Sequence, residues 1–99
     1  MSAAPQPDRV HLTLPAFMDL RAAGTLARDL LALRGRPISL DASAVERLGG
    51  LGLQVLLSAR LTWQADRNSF ALVEASEAFL ADCALMGAPT FDDSNGAAS

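Results

Sequence analysis

Apolar positions along this chain change period five times. Val10-His-Leu-Thr-Leu14 alternates apolar and polar residues, the pattern of a half-buried strand, and Pro15 ends it. Asp19 offers a side-chain oxygen that can cap a following helix. Along that helix Leu20, Ala23, Leu26, Ala27, Leu30, Leu31 and Leu33 fall on one side, and Arg21, Thr25, Arg28 and Asp29 on the other. Gly35 and Pro37 stop it. Pro37-Ile-Ser-Leu40 reads as a short second strand ending at Asp41, and a helix is expected from about Leu51 to Ala65. Asp66-Arg-Asn68 is a turn and Ser69 to Val73 a third strand. Ser76 can cap a last helix, with Glu77 in its first turn, and Gly87 and Pro89 end it.

Strand and helix therefore alternate three times. That order predicts a small α/β domain with a three- to four-stranded, mostly parallel sheet and helices mainly on one face. The predicted boundaries are a flexible tail over residues 1–8, a domain over 9–88 and a flexible tail over 89–99, where the chain turns acidic and then Gly/Ala/Ser-rich. No internal repeat is visible.

The long second helix is more apolar than packing on a sheet requires. With Leu51 at the origin of a helical wheel, Val55, Ala59 and Trp63 spread from about 40° to about 120°. Leu53, Leu57 and Leu61 occupy about 200° to about 280°, with Leu56 between the two groups. Either the helix is wedged between the sheet and its neighbours, or one stripe and its first turn face a partner protein. The two can coexist.

Composition narrows the function classes. Ninety-nine residues suit one domain, and half of them are apolar, so a globular core is affordable. The net charge is −3 and the eight basic residues, all arginines, are scattered, which argues against a nucleic-acid surface. Cys83 is the sole cysteine. A nucleophilic or redox role needs partners the chain does not offer, and a small apolar filler on a helix is the simpler account. No apolar core of a secretory signal appears near the N-terminus and no stretch is long enough to cross a membrane. A cytoplasmic location without direct membrane insertion is the resulting expectation.

The candidate chemistry is sparse. Gly49-Gly50-Leu51-Gly52 precedes a helix, as phosphate-cradling loops do, but the spacing fits neither a dinucleotide fingerprint nor a P-loop. Free N–H groups there could still take an anion. His11 stands alone on a strand without metal-ligating company. Asp41 and Ser43 could pair, yet Ser43 lacks a base, so turn hydrogen bonds explain them better. No nucleophile–base set can be assembled, and neither a cofactor nor a metal is expected. Between Arg47 and Gln54 no residue carries a hydroxyl, thiol, imidazole or carboxylate. This loop has the shape of a functional site without the atoms for catalysis.

The segment resembles the STAS domain of bacterial anti-sigma factor antagonists. Leu40, Asp41, Ser43, Val45, Leu48, Gly52, Leu53 and Leu56-Leu57 match its pattern of a strand ending in Asp-x-Ser, a short loop and a Gly-Leu helix start. The resemblance covers roughly residues 9 to 88 and implies a non-enzymatic interaction module. Switching members carry a Ser or Thr just before the Gly-Leu pair, which a partner kinase phosphorylates. Here that position is Leu51, a shift of register gives only Gly50 or Gly49, and the family's acidic residue just ahead falls at Gly49. Partner binding is accordingly expected at Asp41, Ser43, Gly49, Gly50, Leu51, Gly52, Leu53 and Val55, with no phosphorylation at Leu51. The loop and helix start are similar to STAS proteins encoded beside bacterial chemotaxis genes. That implies a signalling partner such as a histidine kinase or an anti-sigma-type kinase, with homodimerisation left open. A related group, cytoplasmic STAS subunits of phospholipid-transport ATPases, is the alternative.

Overall fold

A computed structural model describes residues 9–88. The expected tails at 1–8 and 89–99 lie outside the described residues. Three strands, β1 (Val10–Thr13), β2 (Ile38–Asp41) and β3 (Phe70–Val73), form a parallel sheet in the order β1-β2-β3. Helices α1 (Leu20–Ala32) and α2 (Gly49–Ala65) are the two crossovers, and α3 (Glu77–Leu85) follows β3. Neighbouring parallel strands joined by crossovers of one hand put both helices on the same face, side by side.

The register sorts the side chains by face. Val10, Ile38 and Phe70 lie across from one another, as do Leu12, Leu40 and Leu72. Ile38 and Leu40 on the central strand are fully buried in the core that the helices cover. His11, Ser39 and Ala71 share the opposite face, with Thr13, Asp41 and Val73. His11 is exposed there, a strand histidine as expected. Arg9 crosses the strand ends, donating from Nη1 to the Ile38 carbonyl at 3.2 Å and from Nη2 to Ser69 Oγ at 2.8 Å.

The helices bury narrower stripes than the wheel suggested. On α1 only Ala23, Leu26 and Leu30 are buried, whereas Leu20 and Leu31 are 74% and 70% exposed. A sheet covers only part of a helix's circumference, and the ends of a wide apolar arc fall outside it. On α2 the buried residues are Gly52, Leu53, Leu56, Ala59 and Trp63. That stripe is centred near Leu56, between the two apolar groups, so each group is half used and its outer member, Leu51 or Leu61, is exposed. The wedged reading describes the stripe around Leu56, and the outer positions Leu51 and Leu61 are left uncovered.

Local signals set the ends. Asp19 caps α1 by accepting from the Ala22 N–H at 2.9 Å, and Ser76 caps α3 by accepting from the Phe79 N–H at 3.0 Å. At the far end of α2, Trp63 packs its ring 6.0 Å from that of Phe70 and donates from Nε1 to the Arg36 carbonyl at 2.7 Å. The indole thereby ties the α1–β2 turn to α2. Trp63→Phe keeps most of the volume and leaves that carbonyl without its donor. The expected cost is about 1–3 kcal/mol, read as a lower urea midpoint with an unchanged slope.

Candidate functional site

Two loops meet at the C-terminal end of the sheet. The loop after β1 and the loop after β2 run side by side, bridged at Phe17 and Arg47. Ala16 accepts through its carbonyl from the N–H groups of Glu46 and Arg47, and the Met18 N–H donates to the Arg47 carbonyl at 3.0 Å. Helix α3 supports them from the other side. Ser76 donates its hydroxyl to the Val45 carbonyl at 2.6 Å and its N–H to the Ala42 carbonyl at 3.2 Å. The loop from Ala42 to Leu48 is therefore held along its length by backbone and capping bonds.

Helix α2 starts on this platform. Its N-cap, Leu48, has no side chain able to cap, and the Leu48 N–H donates instead to Asp82 Oδ2 on α3 at 2.8 Å. A carboxylate thus already sits at the positive end of α2, which disfavours a phosphate or other anion there. Gly49 takes φ +73°, a left-handed conformation that favours glycine. Gly52 is needed for space: a Cβ there would stand 2.9 Å from Met18 Cβ and 3.2 Å from Leu48 Cδ1. A Cβ on Gly50 would meet nothing within 4 Å.

These placements divide the sequence-derived site. Gly52 and Leu53 face the core, so they shape the loop and offer no surface to a partner. Gly50 is exposed and Leu51 is 48% exposed, making them the accessible part of the motif. Val55 is half-buried and lines a groove between α1 and α2 with Leu51. Asp41 accepts through Oδ1 from the Ser43 N–H at 2.8 Å, a local turn bond. That bond holds the Asp41 carboxyl below its ordinary value. Asp41 and Ser43 belong to the rim of the loop and act as a turn.

Other residues join the surface that the sequence did not mark. Phe17 is 57% exposed beside the bridged loops, and Leu20 borders the same groove as Leu51. Phe17 sits in an irregular connection without periodicity, and Leu20 was counted with the core stripe of α1. Asp82 had no signal at all, because its role depends on α3 folding back onto the loop. Cys83 is buried and burial raises its thiol above the ordinary value, so it stays protonated, as a packed filler would. Among the described residues no three His, Cys, Asp or Glu side chains gather as a metal site, and no helix is long and apolar enough to cross a membrane.

The family described as Mlab, STAS domain matches residues 1–90, and the chain belongs to the STAS family. It matches no curated protein and no solved structure.

Substitutions separate the roles of the glycines. Gly52→Ala is expected to lose about 1–3 kcal/mol by overpacking against Met18, and Gly49→Ala about 1–2 kcal/mol by backbone strain. Gly50→Ala should stay within about 0.5 kcal/mol of the parent in thermal or urea unfolding.

The depressed Asp41 carboxyl has a definite pH sign. Its contribution is present above the unfolded carboxylate pKa of about 3.9 and is lost as pH falls through the lower folded value. Asp41→Asn removes this titration, so the drop in urea midpoint below about pH 4 should be smaller in the variant than in the parent.

Proposed function

We propose that this STAS domain is a non-enzymatic docking module whose contact surface is the start of α2 and the groove beside it. The observation that carries this reading is an exposed apolar turn, Gly50-Leu51, held on a braced loop and free of reactive groups. Leu51 takes the position that resembles the family's phosphorylation site. A phosphate there would add about −2 charge to an apolar contact, and leucine cannot accept one. The surface is therefore constitutively in its uncharged form. The partner in this reading is a signalling protein such as a histidine kinase or an anti-sigma-type kinase, in a bacterial cytoplasm.

A second reading has its own support. The matched family is described by Mlab and not by anti-sigma antagonism. In that reading the chain is a cytoplasmic STAS subunit of a phospholipid-transport ATPase, and the same turn docks on the ATP-binding subunit. Co-purification of the full chain from its own host discriminates the two: a kinase in one case, an ATP-binding subunit with a permease in the other.

Both readings require Leu51 at the contact. Full burial of a leucine contributes about 1.5–3 kcal/mol, and Leu51 starts half exposed. Leu51→Asp is expected to lower partner affinity at least about tenfold, corresponding to about 1.4 kcal/mol, with the thermal midpoint little changed. Unchanged partner recovery by this variant contradicts docking at the turn.

A further inference from the structure

We infer that the groove between α1 and α2 receives an amphipathic helix of the partner protein, one with acidic residues along its edge. The inference rests on the docking reading above, because Leu51 belongs both to the exposed turn and to the groove.

Both walls have the spacing of a helix-packing seam. On α1, Leu20, Gly24, Ala27 and Leu31 follow one another at intervals of four, three and four residues. On α2, Leu51, Val55, Ser58 and Thr62 repeat those intervals. Intervals of this kind keep side chains on one line along a helix, where a facing helix inserts its own. All eight residues line one groove of about 480 Å³. The seam on α1 runs roughly 16 Å, or three turns, enough for a short helix.

The middle of the groove is open and its α1 wall ends in leucines. A Cβ on Gly24 would meet nothing within 4 Å, so the wall is recessed where an incoming side chain would sit. Leu20 and Leu31 stand at the two ends of the α1 seam, both largely exposed.

Charge selects the occupant. Arg21 and Arg28 project along the outer edge of the α1 seam, both exposed, with no ion-pair partner among the described residues. Arg34 borders the far end and is paired with Asp66 at 2.8 Å. At the near end, the Asp19 carboxylate is engaged as the cap of α1. The α2 edge, with Gln54 and Leu61, is uncharged. A second copy packed α1 to α1 about a two-fold axis would set these arginines against their own images. A helix with an acidic edge complements them.

Synthetic helical peptides of about four turns test the assignment by fluorescence anisotropy on the full chain. Each carries leucines at heptad spacing, and the flanking positions are Glu in one peptide and Lys in the other. The Glu-edged peptide should bind at least about tenfold tighter, by a margin that shrinks as salt is raised. Gly24→Leu should abolish that binding while the thermal midpoint holds or rises, since leucine is the better helix former. Arg28→Glu, which leaves the groove open, should narrow or invert the preference. Equal affinity for the two peptides, or binding untouched by Gly24→Leu, overturns the proposal. So does a dimer of the chain that Gly24→Leu dissolves, which assigns the groove to a second copy. Applied to the native partner, loss with Leu51→Asp but retention with Gly24→Leu keeps docking at the turn and removes the groove assignment. Retention by both variants removes both.

Discussion

The contact between Gly52 and Met18 is the constraint on which the rest of this structure depends. A Cβ at residue 52 would stand 2.9 Å from Met18 Cβ, closer than carbon atoms pack, so only glycine lets α2 seat against the connection from β1 to α1. That seating brings Ala16 and Met18 within hydrogen-bonding range of Glu46 and Arg47. It also sets Leu48 fully inside the core and turns its N–H toward Asp82. Three connections, after β1, after β2 and after β3, are thereby locked at one end of the sheet. An irregular loop is usually the softest part of a domain. Here it is braced from both sides.

Rigidity at that end gives the apolar turn its meaning. Leu48, Gly52 and Leu53 are consumed by packing, and what projects outward is Gly50 and Leu51. A side chain held on a fixed helix start has little freedom left to lose on binding, so more of its burial energy survives as affinity. The same seating aligns α1 and α2 side by side, and their outer seams become one groove. Turn and groove share Leu51, which makes them one continuous surface. Asp82 places negative charge at the helix pole, which disfavours an anion there.

Much of this was legible in the sequence, and the reasons for the remainder are physical. Alternation at Val10 to Thr13, the caps at Asp19 and Ser76, and the prolines and glycines between elements are local signals, and the strands and helices formed where they pointed. The turn between Asp41 and Ser43 was equally local. Leu20 and Leu31 were harder, because the wheel shows that they are apolar and cannot show how much of α1 the sheet will cover. Leu53 presented the same problem in reverse: only two residues on from Leu51, it turns about 200° away and into the core. The role of Asp82 depended on where α3 comes to rest, information that no spacing in the chain contains.

Hydrogen–deuterium exchange of the full chain, with and without its co-purified partner, tests the central claim most directly. The account predicts added protection at Gly50 to Val55 and along α1 from Leu20 to Leu31, with the open sheet face around His11 and Thr13 unchanged. Protection confined to that sheet face or to α3, with α1 and the start of α2 exchanging as in the free chain, would contradict it.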